Sequence, residues 1–403
     1  MSEENTYFDE INSDNIPVAN IMVAGITGTG KSTLINAIFN EKLAATGTGR
    51  PVTDEIKEYN NQNIPIRIWD TVGLEIDADK TKESIKEIRN TIAQKSESDN
   101  QFDRIHAIWY CINSGSNRYQ GAELSFIKDL YSIGVPFIIV LTQCIGSDEE
   151  IEEFIENIKE INNSMGIKDI EIVPVLATEK RIKTYTIEAY GLDKLVDITT
   201  EKMPKFIKSG FVAAQKVSKI QKRTISEEII YSYIMAAEEG FWDKVPFINV
   251  FTTDRKINKM FRKIGQIYNV FLSEGDIMML LKQFSKIGIL NIEDGFNGLI
   301  NPLNNRYNKK IEVLFRQHNK AGSSIDGEKI DKKERVARLI LFYGYAFVDS
   351  IEELWEKYVK DKSDELEYKV IILQKILKNR MKVYEQNRNR KGYYLLNNNK
   401  GGI

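Results

Sequence analysis

Histidine and cysteine are nearly missing, with two of each in 403 residues. With His106 and His318 alone, neither a histidine-rich metal site nor a serine–histidine triad has the side chains it needs. Cys111 and Cys144 each lie in or beside an apolar run. That placement argues against a disulfide framework and makes them packing residues of a chain in a reducing compartment. The opening stretch MSEENTYFDEINSDNIPVAN has no basic start and no apolar core, so a cleavable secretion signal is not expected. No apolar run is long enough to span a bilayer. The expected location is the cytoplasm, at most peripheral to a membrane.

The chain is 42% hydrophobic and 28% charged, a globular composition, and its length implies two or three domains. Its net charge of −2 is unevenly spread, because residues 301–403 hold 22 Lys and Arg against 14 Asp and Glu. A basic segment of this kind suits RNA, anionic lipid or an acidic protein surface, or simply solvated helix faces. From Ile21 to about Met203, β-branched runs (IMVAG, IPIRIWD, IHAIWYCIN, PFIIVLTQ, IEIVPVLA) alternate with amphipathic stretches. This predicts an α/β domain with a mostly parallel sheet. EIKEYN is expected to form an antiparallel hairpin with IPIRIWD, and GLDKLVDITTEKMP a last helix closed by Pro204. Beyond Pro204 the strand signal stops and helical periodicity takes over, so an all-helical C-terminal region follows. WDKVPFINV is read as a connection between helices, and the stretch from Glu352 to Gln386 as one long helix. The expected divisions are an extension over 1–17, a nucleotide domain over 18–205, a helical domain over 206–290 and a helical region of unknown type over 291–403.

Gly25-Ile-Thr-Gly-Thr-Gly-Lys-Ser32 matches G-x-x-x-x-G-K-[ST], between an apolar strand and the helix STLINAIFN. Glycines let successive N–H groups of Thr27, Gly28, Thr29, Gly30, Lys31, Ser32 and Thr33 curl around a phosphate at a helix N-terminus. Lys31 is the candidate for neutralising β- and γ-phosphate oxygens, and Ser32 for ligating Mg²⁺. Asp70-Thr-Val-Gly73 supplies D-x-x-G at the end of the next long strand. There Asp70 would hold Mg²⁺, and the Gly73 N–H would meet the γ-phosphate.

The set GITGTGKST, RPVT, DTVGLE, IHAIWYCINSGSNR, VLTQ and VLAT resembles the Era-related, Ras-like P-loop GTPases. More narrowly, it looks like bacterial members that carry a C-terminal helical domain of unknown function. WYCIN followed by Ser, Gly, Asn and Arg118, and LTQ in place of NKxD, are particular to that narrower group. FVAAQKVSK and AAEEGFWDKVPFINVFTTDRKINKMFRKIGQIYNV are similar to its helical domain, so the resemblance covers about residues 18–290. It implies Thr53 as the Mg²⁺-ligating switch threonine, with Thr46 and Thr48 as rivals, and an Ala177 N–H at the guanine O6.

Two departures bear on function. The register Thr142-Gln143-Cys144-Ile145 puts Ile145 where an aspartate normally reads guanine. Thr142 would tie that loop to the phosphate loop and Gln143 would lie along the base, while Asp148 is read as a helix N-cap in preference to a base contact. Leu74 stands where many relatives place a water-orienting Gln, leaving Glu75 nearby and Arg50 as a candidate arginine finger, in cis or across a dimer. The expected function is therefore a GTP-binding switch that hydrolyses GTP slowly with Mg²⁺. Its helical region would bind a partner or a second copy, and a homodimer would form through the nucleotide face. The alternatives are a nucleotide-gated scaffold with negligible hydrolysis and a base-tolerant NTPase or ATPase.

Overall fold

Short β-branched runs become strands because their side chains pack well on a pleated surface covered on both sides. The computed structural model describes residues 16–39, 50–51, 56–61, 64–71, 86, 88–95, 98–116, 119, 122–238, 255–285, 332–359 and 369–383. These divide into a compact unit Ile16–Lys222 and a second from Arg223 onward. In the first, β1 (Ala19–Ala24), β2 (Arg50–Pro51), β3 (Ile56–Asn61), β4 (Ile64–Thr71), β5 (Ala107–Asn113), β6 (Phe137–Thr142) and β7 (Glu171–Pro174) form one sheet. Its order is β2-β3-β4-β1-β5-β6-β7. Strands β4, β1, β5, β6 and β7 run parallel, and the β2–β3 and β3–β4 pairs are antiparallel. The expected EIKEYN hairpin forms, with the two-residue β2 paired outside it.

Alternate strand residues feed two cores, as the period of two requires. On one face Ile21, Val23, Trp109 and Cys111 pack with Leu34 and Ile38 of α1 (Lys31–Ile38), Leu195 of α5 (Leu192–Lys202) and Phe211 of α6 (Lys205–Ala214). On the other, Met22, Tyr110 and Ile139 meet Ile92 of α2 (residues 88–95), Phe126 of α3 (Ala122–Tyr131), and Phe154 and Ile158 of α4 (Asp148–Ser164). Trp109 fastens the first face. Its ring stacks on Phe39 at 5.9 Å, Phe211 meets it edge-on at 6.2 Å, and its Nε1–H donates to Thr199 Oγ1 at 3.0 Å. Both cysteines are buried and free, and burial pushes the Cys111 thiol up to about 12, so neither is a reactive thiolate.

Helix α6 belongs to this unit, although its sequence reads as the start of the helical region. Ile207, Phe211 and Ala214 are buried in the sheet's core. A Cβ on Gly210 would lie 1.9 Å from the Pro17 carbonyl oxygen, so the helix backbone approaches the chain entering β1 directly. The unit accordingly runs to Lys222, one helix beyond the expected boundary at 205. Periodicity reveals an apolar face but not what covers it.

The second unit is helical among the described residues. It takes α7 (Lys219–Glu238) from Arg223 on, with α8 (Arg255–Ile267), α9 (Glu274–Ser285), α10 (Lys332–Leu354), a π turn over Trp355–Val359, and α11 (residues 369–383). Phe261 of α8 meets Phe347 of α10 at 4.5 Å. Arg223 binds Glu227, Asp349 and Glu352 at 3.0, 3.0 and 2.7 Å. Of the long helix expected from Glu352 to Gln386, the described residues hold the end of α10, the π turn and α11, all helical, and residues 360–368 and 384–386 lie outside them. The WDKVPFINV connection lies outside the described residues. No described helix is long and apolar enough to cross a membrane.

Candidate nucleotide-binding site

After β1 the chain builds β2, β3 and β4 on one side of it and then β5, β6 and β7 on the other, which opens a crevice beyond the carboxyl end of β1. The loop from Gly25 to Gly30 occupies it. Gly25 has φ +144°, and a Cβ there would sit 2.4 Å from the Cys111 carbonyl oxygen, so the position excludes every other residue. Gly28 and Gly30 are left-handed, at φ +82° and +88°. Gly30 is the N-cap of α1, and no side chain caps that end. The first-turn amides of α1 are therefore open to an anion.

Two opposite charges are buried beside this loop. Lys31 Nζ donates to the Gly25 and Ile26 carbonyls at 2.9 and 3.4 Å. Burial lowers the Lys31 pKa, which the Asp70 carboxylate partly offsets. Asp70, at the end of β4, is 8% exposed, and its Oδ1 has no hydrogen-bond partner among the described residues. Burial raises it to about 6, against the pull of Lys31 and Lys57. Desolvation therefore outweighs attraction for both members, and the two make no ion-pair contact. Among the described residues neither has a counter-charge in contact, so each suits an opposite charge on a ligand.

Thr27, Gly28, Gly30, Lys31, Ser32, Thr33 and Asp70 line a cleft of about 830 Å³ with Thr142, Gln143 and Ala177. Thr29 is buried instead, and its hydroxyl donates to the Ile26 carbonyl at 2.9 Å. The loop after β6 is tied down onto the phosphate loop. Thr142 Oγ1 has its one proton between the Thr29 carbonyl and, at 3.1 Å, that of Ile112, and Gln143 Nε2 donates to the Gly28 carbonyl at 3.0 Å. Gln143 itself is left-handed, at φ +55°, so its side chain is held by the loop it adjoins. Ile145 is 38% exposed and offers no polar group. Ser147, not Asp148, caps α4: its hydroxyl accepts from Glu150 N, and the Glu150 carboxylate accepts from Ser147 N. Asp148 is the helix's first residue.

Thr53, Gly73, Leu74 and Glu75, with Thr46, Thr48 and Arg118, lie outside the described residues. Arg50 is described only in its backbone pairing with Glu58. The cleft also gathers residues that the motifs do not name. Lys57 and Tyr59 come from β3, and Glu179, Lys180 and Arg181 lead into a hairpin of β8 (Lys180–Ile182) and β9 (Tyr185–Ile187). Among the described residues no group of three or more His, Cys, Asp or Glu could cage a metal ion alone.

Residues 20–143 match the family model described as "50S ribosome-binding GTPase". Similar curated proteins include Cell division control protein 3 of Candida albicans, 27% identical over 177 residues, which are 37% of this chain and 42% of that one. Cell division control protein 10 of the same species is 33% identical over 159 residues, 33% of this chain and 44% of that one. Translocase of chloroplast 108 of Physcomitrium patens is 41% identical over 56 residues, 13% and 6% of the two chains. The chain thus spans less than half the length of these relatives. Among solved structures, a probable GTP-binding protein engB is 20% identical over 46% of this chain and 98% of that one, with a TM-score of 0.31. Era in complex with MgGDPNP and 16S ribosomal RNA is 17% identical over 47% and 58%, with a TM-score of 0.32. The GTPase family match thus falls inside the first unit, with its mostly parallel sheet, and the described residues of the second unit are helical.

Proposed function

We propose that this chain is an Era-related nucleotide switch that binds GTP and GDP with Mg²⁺, hydrolyses GTP slowly, and uses its helical region to bind a partner or a second copy. The observation that carries this reading is the pair of buried, mutually unsatisfied charges at the mouth of β1. Lys31 meets phosphate there, and the amides of Thr27 to Thr33 hold the β-phosphate against the α1 N-terminus. The donor set fits Mg²⁺: the Asp70 carboxylate has an orphaned oxygen, and the Ser32 hydroxyl lines the same cleft. Hard oxygens suit this ion, whose remaining ligands come from phosphate and water. Bound there, Mg²⁺ would supply positive charge to the phosphate oxygens. Thr53 and Gly73 are proposed to complete the site around the γ-phosphate.

At the other end the Ala177 N–H is proposed to meet guanine O6. With Gln143 Nε2 engaged by Gly28 and Ile145 apolar, guanine is preferred over adenine less steeply than with an aspartate in place. Leu74 cannot orient water, so a lone subunit hydrolyses slowly, at about 10⁻⁴ to 10⁻² per second. Phosphate release under single-turnover conditions tests this. No measurable release from a GTP-loaded chain would leave a nucleotide-gated scaffold, and release equally fast from ATP would leave a base-tolerant NTPase.

A further inference from the structure

Lys57 is an ammonium that none of the sequence motifs claims. It lies on β3, directly opposite Asp70 of β4 in the antiparallel register. Residues so paired place their side chains on the same face of the sheet, with Cβ atoms about 5 Å apart. Its neighbours in the pattern behave differently. Glu58, on the opposite face, is taken by Arg67 at 3.1 Å, and Tyr59 is buried in the core. Lys57 is exposed, lines the same cleft as Lys31, Ser32 and Asp70, and has no ion-pair partner among the described residues. Its charge is felt at Asp70 nonetheless.

Of the cleft's cations, Lys180 and Arg181 come from β8 beyond Ala177, while Lys31 and Lys57 come from α1 and β3 on either side of Asp70. Lys31 rises from beneath the phosphate loop and is held by the loop's own carbonyls. Lys57 comes from the strand beyond Asp70, on the side away from the base loop, since β3 and β6 lie on opposite sides of β1. A nucleoside diphosphate seated on the phosphate loop is already met by Lys31 and the α1 amides. A third phosphate adds charge at the Asp70 end of the cleft, where Lys57 is, among the described residues, a cation without an ion-pair partner. We infer that Lys57 is a specificity-determining residue that binds the terminal phosphate of a nucleoside triphosphate and so separates the triphosphate state from the diphosphate state. A flexible ammonium suits this task because it moves toward the phosphate when one is present and returns to water when it is not.

This inference rests on the nucleotide site proposed above, and the test separates the two. Wild type, Lys57→Ala and Lys57→Arg are titrated with labelled GDP and with a non-hydrolysable GTP analogue, both with Mg²⁺, after circular dichroism shows that each is folded. Lys57→Ala is expected to weaken the triphosphate analogue about tenfold or more while changing GDP by no more than about threefold. Lys57→Arg is expected to restore most of the difference. Equal weakening of both nucleotides would make Lys57 a general charge in the cleft, and no change in either would make it a solvated surface residue; both overturn the inference. A folded wild type that binds neither nucleotide would overturn the reading of the site itself, and this inference with it.

Discussion

Asp70→Asn should stabilise the nucleotide-free protein while removing its response to Mg²⁺. The carboxyl is raised from 3.8 to about 6 by burial, and a shift of that size corresponds to about 3 kcal/mol. Because the folded value lies above the unfolded one, the group's favourable contribution is fully present below pH 3.8 and is lost as pH rises through about 6. At pH 7.5 the wild type therefore holds a charged carboxylate whose buried Oδ1 has no hydrogen-bond partner among the described residues. The isosteric amide removes that charge, at the expense of the attraction it gave Lys31. The net gain should be about 1–3 kcal/mol at pH 7.5 and should shrink toward zero near pH 4. With saturating GDP and Mg²⁺ the order should reverse, because only the wild type couples ion binding to the folded state. Urea titration read by hydrogen exchange on peptides from β1 and β4 reports on this unit alone. A variant no more stable than wild type at pH 7.5 without nucleotide, or a gain that does not depend on pH, would refute the reasoning.

Ile145→Asp should steepen guanine preference by about tenfold or more, because it restores a carboxylate at the base edge; competition of GTP, ITP, XTP and ATP for the cleft measures it. If a second copy completes the site, specific GTPase activity should rise with protein concentration, and Arg50→Ala should blunt that rise while leaving GDP affinity within about twofold. Phosphate release across a wide concentration range, with light scattering to follow assembly, checks this, and constant activity in a proven monomer removes the dimer.

The phosphate loop was legible because its chemistry is local: three glycines, one lysine and one serine at fixed spacing, between a strand and a helix. The β3–β4 hairpin was legible for the same reason. Residues whose position depends on distant pairing were not. Lys57 reads as one charge among several in EIKEYN until the register sets it against Asp70. The β8–β9 hairpin has strands of three residues, too short for alternation to stand out from KRIKTYTI, and its turn holds a left-handed Lys183 where sequence rules look for glycine or asparagine. The cap of α4 was readable, since Ser147 is followed three residues later by Glu150; the string of acids after Ser147 drew attention to Asp148 instead. For α6 the deciding fact is the contact of Gly210 with Pro17, which no local pattern encodes.

The identity of the ligand is the central point, and Lys31 is its most exposed test. Wild type and Lys31→Ala, each shown to be folded by circular dichroism, are titrated with labelled GDP and GTP in the presence of Mg²⁺ and challenged with ATP. The expected result is tight binding by wild type, displaced by unlabelled GTP in preference to ATP, and loss of that binding in the variant, because Lys31 is the buried ammonium held at the phosphate loop. Wild-type affinity in a folded Lys31→Ala, or displacement by ATP as effective as by GTP, would contradict the assignment of this cleft to a guanine nucleotide.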